Sequence, residues 1–169
     1  MILVFGGSAG DEVESRIPAP TNAADMLLSA VIAEAIDSHS TGQTHMLAYA
    51  TLGTLDLARA AAFYDVLLAE LGAKRFMEEP DYFIAWGNSK DGAGLGITYP
   101  FDKQAASVGN GTMVALNATS REQVDRVYAK AIELGGTDEG APGQRSSWFY
   151  AAYFRDLDGN KLNCCYMGE

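Results

Sequence analysis

The feature that most constrains this chain is a pattern that occurs twice, about 60 residues apart. In each copy a strand-like segment (47–53, then 112–118) leads into an amphipathic helix that a glycine ends (Gly72, then Gly135). The short strands after the first helix are predicted at about 74–79, 82–87 and 94–99. The sequence therefore predicts two βαβββ units, which must pair because one unit alone leaves a face of its sheet uncovered.

Both predicted helices begin at a residue that can cap them. Asp56 starts the first helix, and Ser120 starts the second with Gln123 completing a capping box. The apolar residues of the first helix recur with the 3.6-residue period of a helix that packs on a core. They are Leu57, Ala60, Ala61, Tyr64, Leu67, Leu68 and Leu71.

Near the end of the chain, two apolar runs of strand length (149–154 and 161–167) flank a turn, Arg155-Asp-Leu-Asp-Gly-Asn160. Asp158 and Asn160 are of types that bond their own backbone in turns, and Gly159 adopts φ > 0 at little cost. Asp-Gly between two apolar runs is a strong hairpin signal. This segment therefore predicts a buried β-hairpin.

The order of these features resembles the vicinal oxygen chelate superfamily, which includes glyoxalase I, bleomycin-resistance proteins and extradiol dioxygenases. Besides the repeat, the features that carry the resemblance are Leu52-Gly-x-x-Asp-Leu57, Phe63-Tyr-Asp65, Gly140-Ala-Pro-Gly-x-Arg145 and the Asp-Gly-Asn turn. The resemblance covers about residues 46–167. It implies an α+β fold in which paired βαβββ units form a curved mixed sheet around a cavity, with the helices outside.

The chain is accordingly divided into an N-terminal appendage, 1–45, and a glyoxalase/bleomycin-resistance-like domain, 46–169. Apolar residues over 22–37 predict one helix in the appendage, and 38–44 form a polar linker. The appendage is either an added interaction helix or a start-site artefact, with Met46 as the natural start.

Enzymes of this superfamily commonly hold a divalent metal through two histidines and a glutamate, and the resemblance places these ligands at Tyr49, Met113 and Asn163. A phenol, a thioether and a neutral amide are poor ligands for such a cation. The chain's histidines, His39 and His45, fall in the appendage. We therefore expect no metal and no other cofactor.

An aromatic cavity is the expected site. Strands that carry aromatic residues at successive positions must direct some of them inward. Core packing is the alternative for each aromatic, as are a rim position for Arg145 and a small buried hydrophobe for Cys165. The predicted ligand-binding residues are Tyr49, Thr51, Tyr82, Trp86, Met113, Asn117, Arg145, Trp148, Tyr150, Asn163 and Cys165.

Charge and composition exclude several classes of partner. The net charge is −10 and no Lys/Arg cluster occurs, which argues against nucleic acid. No apolar run approaches the ~18 residues of a membrane span. Cys164 and Cys165 are adjacent in a predicted strand and point to opposite faces, so we expect reduced thiols and a cytoplasmic protein.

These observations favour a metal-free protein that binds a small aromatic or cationic molecule in the aromatic cavity of a homodimer. One alternative is a metal-dependent lyase, isomerase or dioxygenase with atypical ligands. Another is a non-catalytic interaction module. The sequence leaves open whether the chain is an enzyme.

Overall fold

The structure, a computed structural model, describes residues 46–89 and 92–168. Residues Thr44–Glu169 form a compact unit of the chain. The predicted appendage helix, the linker, His39 and His45 lie outside the described residues.

Two βαβββ units follow each other along this part of the chain, so the predicted architecture is confirmed. The first unit consists of β1 (Tyr49–Gly53), α1 (Leu57–Ala69), β2 (Lys74–Glu79), β3 (Phe83–Gly87) and β4 (Gly94–Thr98). The second consists of β5 (Val114–Asn117), α2 (Arg121–Glu133), β6 (Thr137–Ser146), β7 (Phe149–Arg155) and β8 (Lys161–Met167).

Each unit forms its own four-stranded mixed sheet. The strand orders are β1-β4-β3-β2 and β5-β8-β7-β6. In each sheet the first strand pairs in parallel with the last, and the other pairs are antiparallel. Within the described ranges both sheets are open rather than closed.

The helix caps follow the sequence closely. The Asp56 carboxylate accepts a hydrogen bond from Arg59 N at 3.0 Å, and Ser120 Oγ accepts one from Gln123 N at 3.2 Å. The second half of the predicted capping box differs, because Gln123 Oε1 accepts from Thr119 N, one residue before the cap. Beyond the helices, Gly72 has φ 72° and Gly135 has φ 95°.

The two helices cover one face of each sheet and enclose a single apolar core. Tyr64 and Leu67 from α1, Val124 and Val127 from α2, and Phe154 from β7 are completely buried in it. Burial of each such side chain contributes about 1.5–3 kcal/mol, so the helix-facing residues dominate the stability of the fold. Neither described helix has the length and hydropathy of a membrane span.

The face of each sheet that points away from its helix is here called the open face. Strand residues alternate between the two faces. On β3, Ile84 belongs to the core and Phe83 faces the open side. On β7, Phe154 belongs to the core, so Tyr153 lies on the open face.

The turn 155–160, here called the C-terminal turn, is organised by Asp156. Its Oδ1 accepts from Asp158 N at 3.0 Å and from Asn160 N at 2.8 Å, while Oδ2 accepts from the buried Tyr64 hydroxyl at 2.7 Å. Burial, together with the Asp156 carboxylate, raises the pKa of Tyr64 well above its ordinary value. Asp156 thus has the backbone-bonding role that the sequence assigned to Asp158 and Asn160.

Asp158 instead reaches the first unit. Its carboxylate accepts from Thr54 Oγ1 at 2.7 Å, from Leu55 N at 3.1 Å and from the Arg59 guanidinium at 2.7 Å. Asn160 Nδ2 donates to Gly53 O at 2.9 Å. The C-terminal turn therefore fastens the second unit to the corner between β1 and α1.

Candidate functional site

A hollow of about 630 Å³ lies on the open face of the first sheet. We call it the aromatic hollow. Its walls come from β1, β2, β3 and the segment that follows β4. The aromatic residues that line it are Tyr49, Phe76, Tyr82, Phe83, Tyr99 and Phe101.

The floor of the hollow depends on glycines in β4. A Cβ added at Gly96 would lie 2.6 Å from the Phe83 ring, and one added at Gly94 would lie 3.0 Å from the Phe76 ring. Such distances leave no room for a side chain, so each ring rests directly on the β4 backbone. Tyr49 meets Phe83 edge to face, with ring centroids 6.4 Å apart.

A second cavity of about 570 Å³ adjoins the hollow. The two share Tyr82, Tyr99, Pro100 and Phe101 as walls. Tyr99 is fixed there because its hydroxyl oxygen accepts a hydrogen bond from Leu57 N at 3.2 Å, at the start of α1.

Three of the predicted ligand-binding residues, Tyr49, Thr51 and Tyr82, line the aromatic hollow. Phe76, Met77, Tyr99 and Phe101 also line it, although the sequence did not single them out. The predicted strand 74–79 gave no clear signal for Phe76 or Met77, because the two are adjacent apolar residues and a register shift between Arg75 and Met77 interrupts the alternation of β2. Phe101 follows β4 in a non-repetitive segment, where no periodicity indicates a direction.

Trp86 and Tyr150 lie on the helix-facing sides of their sheets, which corrects their predicted place in the cavity. Trp86 is 1% exposed, and its Nε1 donates to Asp65 Oδ1 on α1 at 2.9 Å. The Tyr150 hydroxyl donates to Asp125 Oδ1 on α2 at 2.8 Å. Strand residues alternate between the two faces, so Trp86 shares the core side with Ile84 and Tyr150 shares it with Ala152.

Asn163 and Cys165 are on the open face of the second sheet but are only 1% exposed each. Asn163 Nδ2 donates to Ala152 O at 3.0 Å, and burial raises the pKa of the Cys165 thiol. Burial raises the pKa of the neighbouring Cys164 thiol to about 12. All three are therefore enclosed groups rather than exposed ligand contacts.

The remaining predicted residues, Met113, Asn117, Arg145 and Trp148, are exposed side chains of the second unit. The Arg145 guanidinium lies 5.4 Å from the centre of the Tyr153 ring, and Lys161 Nζ lies 5.8 Å from it. Arg145 also donates to Ala151 O at 3.2 Å. The open face of the second sheet thus has an aromatic ring that the chain's own cations cover.

The three positions where the resemblance places metal ligands lie in different segments of the two units, and their side chains are poor ligands for a divalent cation. Tyr49 is on β1 of the first sheet, Asn163 is on β8 of the second, and Met113 precedes β5. The Asn163 amide is buried and already engaged. Within 46–89 and 92–168, no three His, Cys, Asp or Glu residues are grouped as metal ligands would be. The donors present do not suit a divalent cation.

The fold and the hollow define an α+β protein of paired βαβββ units with an open-face cavity. The family model described as "Glyoxalase/Bleomycin resistance protein/Dioxygenase superfamily" matches residues 44–164. The chain belongs to this superfamily, which confirms the resemblance seen in its sequence.

Solved structures agree with this assignment. A glyoxalase/bleomycin resistance protein from Albidiferax ferrireducens T118 is 36% identical, with a TM-score of 0.66, over 72% of this chain and 98% of that chain. A hypothetical protein from S. aureus is 25% identical, with a TM-score of 0.54, over 74% and 99%. A lactoylglutathione lyase from Agrobacterium tumefaciens has the same fold at 18% identity and a TM-score of 0.54, over 74% and 95%. No curated protein matches the chain.

Proposed function

We propose that this protein binds a small molecule with an aromatic or apolar ring system in the aromatic hollow, without using a metal. The observation that supports this most is the lining: six aromatic side chains surround about 630 Å³ on a sheet face that no other described element covers. Small-molecule sites have volumes of about 300–1,000 Å³ and mainly apolar, aromatic walls.

The lining also suits a flat ligand. Phe76 and Phe83 rest on the β4 backbone, so a planar ligand can stack on their outer faces. Stacking of aromatic groups adds about 0.5–1.5 kcal/mol per pair beyond the burial of area. Thr51 and the Tyr49 hydroxyl supply polar groups that fix orientation.

The homodimer stays part of this proposal. Phe101 is 92% exposed and Tyr49 is 59% exposed, so a ligand in the hollow would keep part of its surface in water in a single copy. A second copy across the hollow would cover that surface. Sedimentation with and without ligand measures whether two copies associate.

The ligand proposal is tested by filling the hollow. Thr51→Trp on β1 places a large ring in the hollow, whereas Asn117→Trp places the same ring on β5, which has the corresponding place in the second sheet. In calorimetric titrations with 2-naphthol we expect Thr51→Trp to weaken binding at least about tenfold, or ~1.4 kcal/mol. Asn117→Trp should bind like the wild type. Equal affinity in all three proteins would place the ligand elsewhere.

The metal-dependent enzyme is the competing proposal, and the superfamily membership favours it. It predicts a stoichiometric divalent ion in the purified protein and loss of binding or turnover on chelation. Our proposal predicts 2-naphthol binding that a chelator leaves unchanged.

A further inference from the structure

The aromatic hollow has one charged residue in its own described lining, whereas Lys103 lines the cavity that adjoins it. Among the described residues that line it, Glu79 is the only one with a charged side chain. Glu79 ends β2, directly before the turn that leads to Asp81. Glu79 is exposed at the edge of the hollow, and a carboxylate there favours a positive ligand over a negative one.

The neighbouring basic residue of β2 points away from the hollow. Arg75 pairs with Asp65 at 2.6 Å and with Glu78 at 3.0 Å, and its guanidinium lies 5.8 Å from the centre of the Trp86 ring. Asp65, Trp86 and this guanidinium belong to the helix-facing side. The ion pairs of Arg75 are thus with Asp65 and Glu78 rather than with Glu79, although Arg75 and Glu79 both line a separate cavity beside α1.

In the second unit, cations already lie next to an aromatic ring on the open face. There the Tyr153 ring has the Arg145 guanidinium at 5.4 Å and Lys161 Nζ at 5.8 Å. A cation near an aromatic ring is attracted by the ring's electron-rich face. In the first unit the rings of Tyr49, Phe76 and Phe83 have no such partner among the described residues that line the hollow.

We propose that the ligand of the aromatic hollow is an organic cation, such as a quaternary ammonium or an N-alkylated heteroaromatic ring. Its positive centre would lie against the rings of Tyr49 and Phe83, with Glu79 as the counter-charge. This inference rests on the proposed function and adds the charge of the ligand to it. The net charge of −10 further favours the approach of a cation over that of an anion.

Two probes of the same shape separate charge from size. Phenyltrimethylammonium and tert-butylbenzene differ in one central atom, N⁺ against C. In titrations followed by protein NMR shifts, we expect the cation to bind about fivefold or more tightly, as a cation–π contact of this kind implies. Glu79→Gln should remove much of this preference and leave the affinity for tert-butylbenzene unchanged.

Glu78→Gln is the matched control. It removes the same charge from the adjacent residue, whose carboxylate Arg75 already holds. It should leave the preference for the cation nearly intact, and circular dichroism checks that both variants are folded. Equal or weaker binding of the cation in the wild type would overturn this inference and leave the proposed function standing. If neither probe binds, the proposed function fails together with it.

Discussion

The open faces of the two sheets differ although their strand order and helix placement are the same. In the first unit, aromatic rings lie on a glycine floor and surround the aromatic hollow. In the second unit, Arg145 and Lys161 lie against Tyr153, and Asn163 and Cys165 are buried beneath. The helix-facing sides build the common core, so the open faces are free to take different roles.

The last strand of each unit accounts for much of this difference. Gly94 and Gly96 of β4 face the open side, whereas β8 has Asn163 and Cys165 among its open-face residues. Side chains at these positions raise the floor in the second unit. The glycines of the first unit have no such side chains, so aromatic rings pack on β4 and leave space for the hollow.

The largest effect is expected where the two units are joined. Asp156→Ala removes the acceptor of the buried Tyr64 hydroxyl and of two backbone N–H groups. Loss of these bonds should lower the free energy of unfolding by about 3 kcal/mol, measured by urea denaturation. Asp156→Asn keeps an acceptor and should lose less. We expect one transition in each case; two separate transitions would show that the units fold independently.

The glycine floor gives the next effect. Gly96→Ala should destabilise the protein by about 1–3 kcal/mol, because the new Cβ would lie 2.6 Å from the Phe83 ring and displace it. Gly143→Ala in the second unit is the control, since its Cβ would meet nothing closer than Arg145 Nη1 at 3.6 Å. The two thermal denaturation midpoints compare them. A milder change at Gly96 than at Gly143 would contradict the proposed origin of the hollow.

Removing the Arg145 guanidinium from the Tyr153 ring should have a smaller effect on stability. Arg145→Met takes the guanidinium away from Tyr153 and should cost about 0.5–1 kcal/mol, as expected for an exposed cation–π pair. A double-mutant cycle with Tyr153→Leu isolates the interaction between the two side chains. A coupling energy near zero would show that the open-face cation contributes nothing to the second unit.

The smallest expected effect is on the stability of the protein at low pH. Arg155 and Lys161 hold the pKa of Glu139 below its ordinary value. This contribution to stability is therefore present above the unfolded value, about 4.3, and is lost as pH falls through the lower folded value. Glu139→Gln should reduce the difference in stability between pH 6 and pH 3. An unchanged difference would mean that this ion pair is fully screened by solvent.

Most of the fold could be predicted because its signals are local. Asp56, Ser120, Gly72 and Gly135 mark the helix ends by side-chain and backbone chemistry that acts within a few residues. The two apolar runs around Asp158-Gly159 likewise identify the last hairpin, β7 and β8. Such signals depend little on the rest of the molecule.

The site was less predictable because the sheet face on which a side chain lies depends on the register of its strand. The predictions for Trp86 and Tyr150 assigned each residue to the wrong face of its strand. A register shift between Arg75 and Met77 also interrupts the alternation of side chains along β2. The partners of Asp158 are about 100 residues away, so no local pattern could have separated its role from that of Asp156.

The bond between Thr54 and Asp158 also has a consequence for the order of events during synthesis. Thr54 leaves the site of peptide-bond formation 104 residues before its partner. At about 5–20 residues per second, Asp158 is synthesised about 5–20 s after Thr54. During that time the corner before α1 is without the Asp158 carboxylate. Until then Thr54, Leu55 and Arg59 lack the acceptor that Asp158 provides. The first unit therefore reaches its final form only when the last hairpin has been made.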